Sequence, residues 1–243
     1  MLPLKDNIPA KNFPYVNIGL IVINALFFIY QMSYGHEVDQ LIFSLGFIPA
    51  RFLAQQGEVF MSPTSILPVF SSMFLHGNLV HLLSNMWMLW IFGDNVEDCM
   101  GHGRYFLFFV LCGIASVFVQ TISNPQSTIP MVGASGAISG VLGAYLLTYP
   151  HARILTLVPI FIIFYIIELP AYFFLGFWFV IQLIQGSLYS LNSHGAVGGG
   201  VAWWAHVGGF TAGVLLLQVF RCKDWQRPEV QPKRSIRRLQ RRQ

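Results

Sequence analysis

The chain has 243 residues, 55% of them hydrophobic and 10% charged, and its mean hydropathy is +0.59. A soluble globular domain carries about a quarter charged residues, so the composition excludes that class and points to an all-α, polytopic membrane protein of one domain, since about six helices of roughly 20 residues plus loops fill the length. Nine of the 14 lysines and arginines lie between Arg221 and Gln243, so the net positive charge is a property of the tail and no nucleic-acid partner is expected.

Met1 to Pro14 lack the charged, short-apolar, small-residue plan of a cleaved signal; they are expected as a cytoplasmic N-terminus ahead of a membrane domain over 15–221. The first span covers about Tyr15 to Met32. Ser33 to Ser72 forms a mixed connection whose apolar runs, such as Leu41 to Ile48, are too short to cross, and it is read as a structured loop in the interface. Span two covers about Met73 to Phe92, a loop Gly93 to Gly103 follows, and span three covers about Arg104 to Ile122. Asn124-Pro125 and Pro130 mark a turn. Span four runs from about Val132 to Tyr149. Ile154 to Gly186 is too long for one helix and holds Pro159 and Pro170; the fifth span is placed at about Ile167 to Leu188, after an interfacial or re-entrant piece. Asn192 to Gly200 is a glycine-rich loop, and the sixth span covers about Val201 to Phe220. Residues 222–243 form a basic cytoplasmic tail, either a contact for anionic lipid or a solvated segment that fixes topology.

With six spans both ends share one side, which then receives Lys5, Lys11, Arg104, Arg153 and the tail, thirteen of the 14 basic residues. That asymmetry places both termini in the cytoplasm. Cys99, Cys112 and Cys222 show no CxxC spacing, so no disulfide framework, metal site or cofactor is readable.

Lone polar groups within apolar spans are costly and usually functional. Under this topology His81 and Asn85 lie two to three turns down span two, Ser135 about one turn down span four, and His206 one to two turns down span six. At about 1.5 Å per residue these depths agree within several ångströms. Gly136-x-x-x-Gly140 and Gly209-x-x-x-Gly213 allow the fourth and sixth spans to approach closely, where burial of apolar area supplies no drive; ordinary helix packing explains each pair equally well. A serine hydroxyl needs a base at roughly 2.6–3.2 Å, and a neutral imidazole suits that role. The only acid in a span, Glu168, is at the wrong depth, so a Ser135–His206 dyad is expected rather than a triad. The start of a helix offers free N–H groups. His81 and Asn85 share one helix face and could also donate to an oxyanion.

The set resembles the rhomboid family of intramembrane serine proteases: His76-x4-His81-x3-Asn85, then Gly93-x3-Glu97-x3-Gly101, then Gly133-Ala134-Ser135-Gly136, then Ala205-His206-x-x-Gly209-x3-Gly213. The resemblance implies a six-helix bundle with a cavity open to the outer side. Ser135 would be the nucleophile and His206 the base and later the acid; His81, Asn85 and the Ser135 amide would bind the oxyanion. Substrates would be single-span membrane proteins in the lipid bilayer, cut near the outer face, with the fifth span and the loop Asn192 to Gly200 as a gate. In two places the chain departs from the pattern. Ser139 stands where many members carry an aromatic residue against the base, and could hydrogen-bond His206 or fill space. The first loop lacks a Trp-Arg pair. His76 is read as structural, and His36, His102, His151 and His194 as solvated. A metalloprotease would need H-E-x-x-H, which His76 to His81 lack. A transporter would show internal symmetry, and a non-catalytic rhomboid-like binder would be expected to lack Ser135 or His206. The absence of an organelle presequence favours a bacterial inner membrane.

Overall fold

Residues 1–54, 63–192 and 201–222 are described by a computed structural model. The elements are β1 (Leu2–Lys5), α1 (Tyr15–Met32), α2 (Val38–Leu45), α3 (Pro49–Ala54), α4 (Pro63–Ser71), α5 (Leu79–Met100), α6 (His102–Ser123), α7 (Ser135–Thr148), β2 (Arg153–Ile160), β3 (Ile163–Pro170), α8 (Ala171–Asn192) and α9 (Trp203–Phe220). Among the described residues four helices, α1, α6, α8 and α9, are long and apolar enough to cross a membrane, while α7 is apolar but shorter. The fifth long helix, α5, has 22 residues and carries Asp94, Glu97 and Asp98 in its last turns.

The centre of the bundle is α7. Only 14 residues long, it is buried along nearly its whole length, with α5, α6, α8 and α9 around it. A helix sheathed by others has no lipid to match, so it need not reach both faces. Its seam with α9 is backbone against backbone. A β-carbon on Gly209 would lie 1.9 Å from the Gly136 carbonyl oxygen, and one on Gly213 would lie 2.0 Å from that of Gly140. On its other side Gly140 meets Cys112, and Gly136 meets Ser116, both from α6.

One end of the bundle is tied together by polar groups. The Glu97 carboxylate accepts the N–H groups of Val16 (3.0 Å) and Asn17 (2.7 Å), satisfying donors that the first turn of α1 cannot pair internally. Asp98 takes the Asn12 N–H and side-chain amide at 3.0 and 2.9 Å, and Cys222 N–H donates to the Cys99 carbonyl. Gly101, at φ +78°, turns the chain from α5 into α6.

Three expectations are corrected. The domain is not purely helical, because β1, β2 and β3 form a three-stranded antiparallel sheet in that order. The segment expected as an interfacial or re-entrant piece is the β2–β3 hairpin. Ile154 and Thr156 on β2 are buried, and the hairpin's tip, Phe161 and Ile162, is fully exposed or nearly so. The helix expected as the fifth span, α8, therefore starts at Ala171, after Pro170 ends β3, and not at Ile167. Gly93 and Glu97 belong to α5, so the expected loop from Gly93 to Gly103 shrinks to the Gly101 turn. The connection expected to be interfacial contains α2, α3 and α4. The expected gate loop falls mainly on 193–200, and the tail on 223–243, both outside the described residues.

Candidate active site

Ser135 is the first residue of α7. The chain leading to it is held by backbone bonds: Phe47 and Met131 exchange N–H···O contacts at 3.1 and 2.7 Å, and Gly133 N–H donates to the Ser72 carbonyl at 2.8 Å. Gly133 takes φ +117°, which only glycine adopts without strain, and a β-carbon there would also lie 2.7 Å from the His81 ring and 3.5 Å from Asn85 Nδ2. The turn that delivers the serine thus rests against both residues expected to serve an oxyanion.

His206 enters from α9. The start of that helix is fixed to α6, where the Ala205 N–H donates to Gln120 Oε1 at 3.1 Å. His206 Nε2 lies 2.8 Å from Ser135 Oγ, within the range over which an imidazole can take a hydroxyl proton. Its other nitrogen, Nδ1, lies 2.8 Å from Oε1 of Gln182 on α8. Trp178 lies over the imidazole, with ring centroids 5.9 Å apart at 35°, and Trp203 meets it edge-on at 6.3 Å.

Ser135 and His206 border a cavity of about 750 Å³, whose wall also includes His81, Asn85, Gln120 and Trp178. Asn85 is buried, and its Nδ2 has no hydrogen-bond partner among the described residues. A buried amide donor without a partner costs about 1–3 kcal/mol. His81 is positioned by its backbone, since its N–H donates to the Asn78 side chain that caps α5.

All eight residues singled out from the sequence can thus be located. Ser135 and His206 meet, His81 and Asn85 flank Gly133, and Gly136, Gly140, Gly209 and Gly213 line the α7–α9 seam. Ser139 does not hydrogen-bond His206; its hydroxyl donates to the Ser135 carbonyl one turn back, at 2.6 Å. His76 is fully buried and edge-on to His81 at 5.2 Å. Its backbone exchanges bonds with the Gln31 amide at 2.6 and 3.1 Å. His102, expected to be solvated, hydrogen-bonds Glu97. Glu168 lies on β3 opposite Arg153, 3.2 Å away. Sequence reasoning does not single out Gln182, although an amide in the apolar α8, which also carries Gln185, satisfies the rule that selects Ser135 and His206.

A family model of the rhomboid domain matches residues 63–222, and the chain belongs to the rhomboid family. It is 30% identical over 152 residues to Rhomboid protein 1, mitochondrial, of Saccharomyces cerevisiae, covering 61% of this chain and 40% of that protein. It is 32% identical over 134 residues to Rhomboid protease GluP of Bacillus subtilis, covering 55% and 24%. Presenilin-associated rhomboid-like protein A, mitochondrial, of Danio rerio is 30% identical over 102 residues, covering 41% and 27%. The chain therefore spans well under half the length of each of these relatives.

Proposed function

We propose that this membrane protein is a serine endopeptidase that cuts single-span membrane proteins within or near the outer part of their spans, with Ser135 as nucleophile and His206 as general base and acid. The observation that carries the reading is the 2.8 Å contact between Ser135 Oγ and His206 Nε2 at the edge of a cavity. Attack would move the hydroxyl proton to Nε2 as the Oγ–carbon bond forms, and Nε2 would return it to the leaving amine. The free Nδ2 of Asn85, the His81 ring and the backbone N–H groups at the start of α7 would receive the carbonyl oxygen.

The membrane domain would comprise residues 15–221 with six crossings, α5 and α7 adding to the four long apolar helices. At 14 residues, α7 is about 21 Å long against roughly 30 Å of hydrocarbon. Its first residue, Ser135, would then sit below one membrane face, where water arrives only through the cavity. Both termini would lie on the opposite, cytoplasmic side. The pairing of β1 with β2 and the bond from Cys222 to Cys99 support this by joining both ends of the membrane domain to the inner connections. A bacterial inner membrane is the proposed location.

The test is fluorophosphonate labelling of the full chain in lipid vesicles, combined with cleavage of a single-span reporter. Wild type should label at Ser135 and cleave; Ser135→Ala should do neither while melting at the wild-type temperature, and His206→Ala should lose labelling. Cleavage by Ser135→Ala, or a folded wild type that neither labels nor cleaves, would return the chain to the non-catalytic binders.

A further inference from the structure

The dyad reading leaves the second imidazole nitrogen unexplained. A histidine acts as base toward Ser135 only if Nε2 is unprotonated, which requires the proton to stay on Nδ1. Something must hold that proton, and among the described residues no carboxylate faces Nδ1; Glu168 is paired with Arg153 on the sheet. Ser139, one turn beyond the nucleophile, spends its hydroxyl on the Ser135 carbonyl.

The atom facing Nδ1 is Oε1 of Gln182, at 2.8 Å, and both side chains are buried. The orientation of this amide is set by its other end, whose Nε2 donates to the Trp178 carbonyl one turn earlier on α8, at 3.3 Å. Exchanging the amide's oxygen and nitrogen would set two carbonyl oxygens against each other, so the oxygen faces the imidazole. An amide oxygen only accepts, so Nδ1 must donate, and Nε2 is left to accept from Ser135 Oγ at 2.8 Å. Trp178 adds its ring over the imidazole.

We infer that Gln182 is a positioning residue that holds His206 in the tautomer required of a base. The inference rests on the Ser135–His206 reading and deepens it to a hydrogen-bonded Ser–His–Gln line. The amide accepts from Nδ1–H whether the ring is neutral or protonated, so it stays bonded while the proton passes from Oγ to Nε2 and on to the leaving amine. It takes no proton itself. Gln182 rides on α8, whereas the reacting residues ride on α7 and α9. Displacing α8 from α9 therefore withdraws the acceptor and releases the ring, which ties the competence of the base to the position of a third helix.

The test uses the full chain in lipid nanodiscs with ¹⁵N-labelled histidine, and compares wild type with Gln182→Met, which keeps length without an acceptor, and Gln182→Glu, which keeps the acceptor. Wild-type His206 should show a protonated Nδ1 and an unprotonated Nε2. Gln182→Met should mix the tautomers and lower both Ser135 labelling by fluorophosphonate and kcat about tenfold or more, with KM changed less than twofold; loss of a neutral hydrogen bond is of this order. Gln182→Glu should restore the tautomer and most of the labelling. A wild-type ring protonated at Nε2 overturns the inference even if no variant folds, as does a folded Gln182→Met that labels within twofold of wild type. Wild type that labels at Ser135 while Gln182→Met is unaffected removes Gln182 alone; wild type that does not label removes the dyad beneath it.

Discussion

Replacing Gly209 by alanine puts the α7–α9 seam directly to the test. The new β-carbon would lie 1.9 Å from the Gly136 carbonyl oxygen, where ordinary contact needs about 3.4 Å, so the helices must part by about 1.5 Å. No rotamer relieves this, since both partners are backbone. Ser135 stands immediately before Gly136, and His206 one turn before Gly209. Even half of that separation carries the 2.8 Å hydrogen bond to the edge of its working range. A misplacement of about 1 Å costs on the order of a hundredfold in rate, or about 2.7 kcal/mol of transition-state stabilisation; the overpacking itself costs about 1–3 kcal/mol of stability. The assay is the Ser135 fluorophosphonate labelling rate per folded molecule, together with a thermal melt in detergent. Gly176→Ala is the control, because a β-carbon there meets nothing within 4 Å; it should label at the wild-type rate. A Gly209→Ala protein that melts normally and labels within about threefold of wild type would refute the claim that this seam sets the reacting distance.

Asn85→Ala should lower kcat by about a hundredfold, as for loss of one oxyanion donor, without lowering the melting temperature, because Nδ2 has no partner among the described residues to lose; an unchanged cleavage rate would remove Asn85 from the oxyanion site. At the sheet end, burial raises the Asp6 carboxyl from 3.8 to about 7, aided by Asp94 and opposed by the Tyr145 hydroxyl that donates to it. An acid whose folded-state pKa is raised stabilises fully below its unfolded pKa and loses that contribution as pH rises through the folded one. Docking of the N-terminal strand should therefore be firmest below about pH 4 and weaken up to about pH 7. Hydrogen exchange at the Leu2 and Lys5 amides, corrected for intrinsic rates, should be slower at pH 5 than at pH 8, and Asp6→Asn should flatten the difference; equal protection of wild type at both pH values would contradict it.

The parts of the molecule visible in the sequence are those whose cause is local. The long apolar helices follow from runs of apolar residues, and the polar residues within them stand out because such groups are rare there. What escaped notice depends on partners distant in the chain or on an unusual turn. The β2–β3 hairpin turns through Phe161 and Ile162 with no Asn-Gly or Asp-Gly signal. Phe161 itself takes φ +53°, a conformation that a bulky residue seldom adopts. From sequence alone the segment therefore reads as an interfacial or re-entrant piece ahead of the fifth span. The acids at the end of α5 suggested a loop because charges usually end spans, yet Glu97 serves the first turn of α1, 80 residues earlier. Gln182 escaped for a different reason. An amide in an aromatic helix is conspicuous, but which neighbour it faces depends on the rotation of α8 about its axis, and no periodicity fixes that when the helix is apolar nearly all round.

These contacts divide the control of one distance among three helices. The helices of Ser135 and His206 touch through backbone at Gly136–Gly209 and Gly140–Gly213, so the separation of their axes has no slack that a side chain could absorb. The turn before Ser135 is pinned to Ser72 and Phe47, and the turn before His206 to Gln120. What remains free is rotation of the imidazole about its own bonds, and the atom that restrains it belongs to α8. Substitutions along the α7–α9 seam should therefore disturb folding and turnover together, whereas substitutions at Gln182 should alter turnover and leave the melt nearly unchanged. A fold that sets distance through backbone and angle through one side chain on a third helix can vary the angle without reopening its core.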